Sequence, residues 1–387
     1  MRDREALRGV ETADAVVVGG GVIGLSVARA LALRGAGSIA LVERAGLGAE
    51  ASSAAGGMLA PQAEADAADA FFELACASRD LYPAFADALR EETGVDIELE
   101  RTGTLYLALT EEDEEEIEHR YSWQRRVGLR VERLTGDEAR LLEPNIAPGV
   151  RACLRFPLDV QVENRRLVAA LALSVEKLGV QILTETEVES VLIERGRVTG
   201  VKTSRGKISA PVVVAACGAW TSFLNQAGKT QPAISIEPIR GQMLCFETNP
   251  CIVHHVIYSP RGYLVPRLDG RLLAGSTTER AGFCKRVTAG GLKAITASAL
   301  EIAPVIERLP LLDSWAGLRP RSLDDWPVMG ACVETEGLYY ATGHYRNGIL
   351  LAPLTGELLA EQITTRATPP MLQAFSPERF NYAESSL

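Results

Sequence analysis

Cysteine is present but never in a useful spacing: the seven residues at 76, 153, 217, 245, 251, 284 and 332 are scattered, odd in number and without a C-x-x-C pair. That pattern argues against a disulfide framework and a zinc centre, and fits reduced thiols that mostly serve as small core residues. Histidine is scarcer, with four in 387 residues. His254 and His255 are adjacent, so on a strand they point to opposite faces, and with no third ligand at suitable spacing no metal site is expected. A surplus of basic charge is also missing. The formal net charge is −10, and a chain without a basic face cannot displace the counterions of nucleic acid. No long unbroken apolar run occurs. The first apolar stretch follows the charged segment MRDREALRGVETAD and is interrupted by glycine, so neither a signal peptide nor a membrane span is expected, and the reading is a cytoplasmic protein. Internal repeats and low-complexity segments are absent. What is there, 47% hydrophobic residues over 387 positions, suffices for a large core and two domains.

The organising stretch is Ala15–Glu43, AVVVGGGVIGLSVARALALRGAGSIALVE. Val16, Val17 and Val18 read as a short buried strand that Gly19, Gly20 and Gly21 end abruptly. Apolar residues then recur at helical spacing from Val22 to Leu31, Gly35 and Gly37 supply the stop, and Ile39–Val42 resumes a strand. Gly19, Gly21 and Gly24 thus fill G-x-G-x-x-G within a βαβ unit. The first two let backbone N–H groups approach a pyrophosphate at the helix N-terminus, and the third lets the helix sit close on the sheet. Glu43 ends the second strand, where a carboxylate accepts hydrogen bonds from an adenosine ribose and disfavours a 2′-phosphate. A dinucleotide site follows, but the pattern does not separate FAD from NAD.

Next comes AEASSAAGGMLAP, residues 49–61. Its small residues allow backbone to lie against a flat ligand, and the Ser52 and Ser53 hydroxyls can donate to phosphate oxygens; the competing reading is a flexible linker. Residues 63–92 have helical period, Thr104–Leu109 reads as a strand, and Thr110 as the N-cap of the acidic helix EEDEEEIEHRYSWQRR, whose charge run is a solvated face. Asn164–Leu178 is an amphipathic helix. The segment Gln181–Val214 reads as a meander turning at 194–197 and 204–207, and Gly218-Ala-Trp220 opens a helix at a second strand end where the sheet can meet the cofactor. Period-two alternation in Ile236–Ser276 predicts an antiparallel sheet and a substrate domain. A helix near 291–303 leads to WAGLRP, and a strand at Leu338–Ala341, the turn at 342–348 and a long apolar helix from Ile349 to about Ile363 follow.

GGGVIGLS, ASSAAGGMLAP, GYLVPR, SWAGLRP and GHYRNGILLAPLTG occur in that order, and together they resemble the FAD-dependent D-amino-acid oxidase superfamily over nearly the whole chain, within it the glycine oxidase branch of thiamine biosynthesis. The resemblance implies an α/β fold in an α+β two-domain arrangement: a Rossmann-like FAD-binding domain with an antiparallel β-sheet substrate domain. The expected FAD-binding parts are residues 1–90, 150–228 and 312–387; the substrate parts are 91–149 and 229–311. Cofactor contacts are expected from Gly19, Gly21, Val22, Ile23 and Gly24, then from Glu43 and Arg44. The small-residue segment adds Ser52, Ser53, Gly56, Gly57 and Met58, and the middle of the chain adds Val188, Gly218 and Trp220. The C-terminal motif contributes Gly343, His344, Arg346, Asn347, Gly348 and Ile349, with the helix from Gly348 aiming its positive end at charge on the reduced flavin. No cysteine lies in Trp315–Gly330, so the FAD is expected to be non-covalent.

By the same resemblance Tyr263 is the active-site tyrosine, Arg319 the arginine that holds the substrate carboxylate, and Arg346 a second arginine near the flavin. A planar guanidinium suits the carboxylate role by itself, although an ordinary ion pair is the alternative for Arg319, as a plain strand aromatic is for Tyr263. Arg261, two residues before Tyr263, is expected on the same strand face and within reach. The implied reaction is oxidation of a small amino acid, with hydride passing from Cα to flavin N5 and dioxygen yielding hydrogen peroxide. Glycine would give glyoxylate and ammonia, or an imine handed to thiazole synthase. Sarcosine and small D-amino acids are the neighbouring choices, since one methyl shifts pocket affinity by only about 1–3 kcal/mol. A dehydrogenase using another acceptor, an NAD enzyme and a non-catalytic FAD module are the rival readings; retention of Tyr263, Arg319 and Arg346 disfavours the last. A homo-oligomer is expected.

Overall fold

The computed structural model describes residues 10–226 and 234–380. The charged start at 1–9, the expected boundary between 228 and 229 and the last residues of the tail lie outside them.

Two sheets carry the architecture. The first has six strands in the order Val328–Ala331, Leu338–Thr342, Val212–Ala215, Ala15–Val18, Ile39–Val42 and Gln181–Leu183. All neighbours are parallel except the outermost Val328–Ala331. Ala15–Val18 lies at its centre, in register with Val212–Ala215 on one side and Ile39–Val42 on the other. Its residues are buried on both faces, which is why the sequence shows an unbroken valine run rather than alternation. Helices Val22–Leu33, Ala70–Thr93, Asn164–Lys177 and Gly348–Thr365 share one core with it, in which Val17, Leu25, Leu41, Leu171 and Leu350 are 0–1% exposed. The helix Gly348–Thr365 is apolar around most of its circumference because it is enclosed; at Gly356 a Cβ would come within 2.6 Å of the Ser26 carbonyl oxygen on helix Val22–Leu33.

The second sheet has eight strands, ordered Leu311–Arg321, Glu237–Glu247, Arg271–Gly275, Gly262–Pro266, Val256–Ser259, Thr104–Ala108, Ala152–Phe156 and Glu132–Thr135. It is antiparallel except where Val256–Ser259 meets Thr104–Ala108. This pairing corrects two expected boundaries. Leu311–Arg321 is hydrogen-bonded along its length to Glu237–Glu247, so WAGLRP belongs to the antiparallel sheet and not to the parallel one; Ala152–Phe156 likewise joins the eight-stranded sheet although it follows position 150. A three-stranded meander, Val188–Glu194, Arg197–Thr203 and Gly206–Ser209, turns where the glycine dipeptides predict. Thr110 caps Glu111–Arg126 through a full capping box with Asp113.

His254 and His255 do not face opposite ways. The strand starts only at Val256, and both backbone N–H groups donate to Glu143 Oε1, at 2.9 and 2.7 Å. His255 Nδ1 lies 2.6 Å from the same oxygen, so one fully buried carboxylate gathers both residues. Among the described residues no cluster of three or more His, Cys, Asp or Glu suits a metal, and no helix is long and apolar enough to cross a membrane.

Candidate active site

Four strands of the parallel sheet end at one cavity of about 540 Å³: Val18 and Gly19, Val42 and Glu43, Ala216, and Ala341 and Thr342 all stand on its wall. The opposite wall comes from the eight-stranded sheet, through Gly241, Met243, Tyr263 and Gly317–Pro320. Carboxyl strand ends facing a second domain are the position in which open parallel sheets bind ligands.

At one end, Gly19 holds φ +114 and a Cβ there would stand 2.3 Å from the Ala216 carbonyl oxygen. Helix Val22–Leu33 begins at this turn, with Gly21, Val22 and Ile23 on the cavity wall and no acidic residue in its first turn. Its free N–H groups and positive end therefore face the space. Ser52 Oγ accepts the Val22 N–H at 3.0 Å and retains its own proton to donate. Glu43 is pinned beside the turn, accepting from the N–H groups of Gly20 at 2.7 Å and Ala45 at 2.9 Å. Arg44 stacks on Trp220, 3.7 Å from its ring centroid, and Val188 and Gly218 complete this wall. Helix-terminal N–H groups, a carboxylate at a strand end and an aromatic ledge are groups that could hold a dinucleotide.

The small-residue segment is ordered rather than a linker. It contains the short helix Ala51–Ala54 and the strand Met58–Leu59. Arg267, 5% exposed, donates to the Gly56 carbonyl at 2.9 Å and the Val162 carbonyl at 2.8 Å. Trp315 Nε1 donates to the Ala54 carbonyl at 3.0 Å. At Gly317 a Cβ would fall 2.6 Å from the Ala54 Cβ, so smallness serves sheet contact as well as ligand approach. Gly56, Gly57 and Met58 line the cavity, but Ser53 does not: its hydroxyl donates to the Gly48 carbonyl at 2.6 Å, so the expected phosphate role is withdrawn.

Two further residues stand behind the wall. Gly24 touches the Gly19 backbone and Gly343, at φ +72, turns the chain against Ser322 and Val328; both shape the site from outside. At the far end His344, Arg346, Asn347, Gly348 and Ile349 line the cavity where helix Gly348–Thr365 begins, again with no acidic residue in its first turn. Burial pushes His344 down to about 3, and its Nε2 lies 3.0 Å from Thr355 Oγ1, so the imidazole there is neutral.

Arg319 and Tyr263 converge on this end. Arg319 Nη1 donates to the Thr277 carbonyl at 3.1 Å and Nη2 to Ser276 Oγ at 2.7 Å. Among the described residues no carboxylate lies within ion-pair distance of it. Gly241 makes the room, since a Cβ there would be 2.3 Å from the guanidinium. The Tyr263 hydroxyl donates to Met243 Sδ at 3.2 Å, a weak acceptor that a carboxylate oxygen outcompetes. Arg346 is differently placed: its Nη2 is 3.0 Å from Glu64 Oε1 and 2.6 Å from the Tyr258 hydroxyl. Arg261 does not reach the site. It precedes the strand Gly262–Pro266, so alternation does not govern it, and it pairs with Asp113 at 2.7 Å and Glu301 at 3.1 Å.

Glu64 and Tyr258 carry no motif, and only the structure brings them together; Arg267 closes the GYLVPR motif, yet its tie to Gly56 spans more than two hundred residues of chain. Glu64 is delivered by the short helix Pro61–Glu64, whose Ala63 N–H donates to Asp159 Oδ2 at 2.8 Å. Burial pushes Asp159 up to about 7 despite Arg79. A carboxyl raised in the folded state stabilises fully below its unfolded value of about 3.9, and that contribution is lost as pH rises through the folded value. Between pH 6 and 8 the melting temperature of Asp159→Asn is therefore expected to fall less than that of the wild type; parallel melting curves over that range would contradict it.

Comparison with known proteins gives consistent findings. Residues 14–362 match the family described as FAD dependent oxidoreductase. The chain is 37% identical over 369 residues to the glycine oxidase of Geobacillus kaustophilus, covering 95% of this chain and 97% of that one. It is 33% identical over 376 residues to the bifunctional protein ThiO/ThiG of Synechocystis, covering 95% of this chain and 54% of that protein. The crystal structure of glycine oxidase from Geobacillus kaustophilus superposes with a TM-score of 0.90 at 36% identity, over 95% of this chain and 98% of that one.

Proposed function

The chain belongs to the FAD dependent oxidoreductase family, and from that membership we propose that it binds FAD without a covalent bond and oxidises glycine, or a comparably small amino acid such as sarcosine or D-alanine, at the far end of the cavity. The family's cofactor decides between the FAD and NAD readings that the glycine turn left open. The observation that carries the substrate reading is Arg319: a braced guanidinium on the cavity wall with only neutral oxygens for partners, beside a tyrosine hydroxyl held by a thioether.

Arg319 binds the substrate carboxylate through its remaining N–H groups, and Tyr263 turns its proton from Met243 to the same carboxylate. The two contacts fix the Cα over one place on the cavity floor. When bound, FAD supplies acceptance of a hydride from that Cα, with dioxygen as the final acceptor. Hydride transfer from an amino acid whose amine is neutral requires no side-chain base, and His344, neutral and tied to Thr355, neither holds nor moves a proton at the substrate. Residues 19–23, Glu43 and Ser52 hold the diphosphate and ribose, and no cysteine lies in Trp315–Gly330 to form a thioether. The imine product hydrolyses to glyoxylate and ammonia, or passes to thiazole synthesis, a role consistent with the likeness to ThiO/ThiG. Action in the cytoplasm belongs to the same proposal.

Peroxide release by the yellow protein under air, with glycine, sarcosine, D-alanine and L-alanine compared, tests the reading. Turnover on glycine or sarcosine above L-alanine supports it, whereas flavin bleaching without peroxide moves the enzyme to the dehydrogenase reading. Glu43→Ala is expected to lose FAD on dialysis roughly 10- to 150-fold more readily, by removal of charge-assisted ribose contacts worth roughly 1.5–3 kcal/mol, with the substrate order unchanged. Equal FAD loss from variant and wild type removes Glu43 from the ribose.

A further inference from the structure

Three charged side chains meet at the substrate end: Arg319, Arg346 and Glu64. Their charges are unequally spent. Glu64 Oε1 accepts from Arg346 Nη2 at 3.0 Å and Nε at 3.3 Å, and from the Tyr258 hydroxyl at 2.8 Å. The Glu64 side chain is 20% exposed. Burial works against its charge, yet Arg346, Tyr258 and Arg319 together hold its carboxyl below the ordinary range, so it is an anion whenever the protein works near neutrality. Tyr258 is itself fixed, stacked between Tyr106 and Tyr263 at centroid distances of 5.7 and 5.8 Å. Arg346 is thus neutralised in place, and among the described residues the other charge at this end is Arg319, which none of their carboxylates pairs with.

We propose that Glu64 is a specificity-determining residue that limits the substrate to a single carboxylate, by cancelling Arg346 and leaving the pocket one net positive charge at Arg319. The inference rests on the amino-acid oxidase reading above. A monocarboxylate closes the charge balance of the three side chains to zero. A second carboxylate, as in aspartate or iminodiacetate, finds no unspent cation and meets the Glu64 oxygens, which repel it in a space where little water screens the charge. Without the Glu64 charge, Arg346 presents its fork to the cavity and the pocket gains the second anion site that it otherwise lacks.

Acetate and malonate, two small unreactive anions that differ by one carboxylate, are titrated into the holoenzyme and read by the perturbation of the visible flavin band. In the wild type acetate is expected to bind and malonate to bind no better. In Glu64→Gln, malonate affinity is expected to rise about ten-fold while acetate changes less than about three-fold, and the gain is expected to vanish in the double variant Glu64→Gln/Arg346→Met. Equal changes for both anions, or a gain that survives loss of Arg346, overturn the proposal. Absence of any acetate response in a wild type that also leaves glycine unoxidised overturns the amino-acid oxidase reading, and this inference with it. Should Glu64→Gln yield no holoenzyme, Arg346→Met reads the same balance from the other side: the unopposed Glu64 is expected to weaken acetate binding about ten-fold or more, and unchanged acetate affinity would overturn the proposal.

Discussion

Arg319→Lys is expected to raise KM for glycine by roughly 10- to 150-fold, the equivalent of about 1.5–3 kcal/mol for one lost hydrogen bond to a charged group. The loss follows from how the guanidinium is bonded. Two of its nitrogens already donate, to the Thr277 carbonyl and Ser276 Oγ, which hold the fork at a fixed tilt. The remaining N–H groups keep the geometry of a parallel pair for a carboxylate. A lysine ammonium has its donors on one atom and cannot both reach these braces and present two parallel bonds. It retains the charge, so the loss falls on orientation as well as affinity, and kcat/KM drops at least as far as KM rises. The flavin spectrum and FAD content are expected to match the wild type, because Arg319 stands on the wall from the eight-stranded sheet, opposite the glycine turn and Glu43. An unchanged KM with intact FAD would remove Arg319 from the carboxylate site.

Gly24→Val has the larger structural effect. A Cβ at Gly24 would stand 1.9 Å from the Gly19 carbonyl oxygen, and both partners are backbone, so no rotamer change relieves the overlap. Helix Val22–Leu33 must then lift from Ala15–Val18 and take with it the N–H groups of Gly21, Val22 and Ile23. Overpacking a tight core typically costs about 1–3 kcal/mol, and this backbone clash belongs at or above the upper end. The helix N-terminus no longer converges on the diphosphate, so the variant is expected to retain less than about a tenth of the wild-type FAD after dialysis, with a lowered melting temperature. Gly46→Ala is the matched control, since a Cβ there meets nothing within 4 Å. Equal FAD retention in Gly24→Val and the control would contradict the close-approach argument.

The parts of the fold that the sequence announces are those set by local periodicity. The valine run, the triple glycine and the switch to helical spacing sit within thirty residues and describe one βαβ unit, which the structure places at the centre of the parallel sheet. Thr110 and its capping box, the two hairpin turns of the meander and the apolar helix after Gly348 are local in the same sense. Errors arise where a local rule is extended across an element boundary. Arg261 is two residues from Tyr263, but it lies before the strand begins, and Asp113 and Glu301 draw it away from the cavity. His254 and His255 fail for the same reason, with Glu143 collecting both. Ser53 is one residue from Ser52, yet one turn of helix directs its hydroxyl to Gly48. Glu64 and Tyr258 have no local signal, and Arg267 stands in a motif that does not announce its role, because each acts through partners brought together only by tertiary packing. WAGLRP is legible as a motif but its sheet is not, since which sheet a strand joins depends on a partner some seventy residues earlier.

Anaerobic mixing of the FAD-loaded protein with glycine tests most directly whether this cavity holds an amino acid against the flavin. The wild type is expected to lose its visible flavin band in one phase, with about one glyoxylate formed per FAD, and Arg319→Lys to need far more glycine for the same bleaching. A flavin that stays oxidised with glycine, sarcosine and D-alanine at saturating concentrations would contradict the assignment of this site to small amino acids.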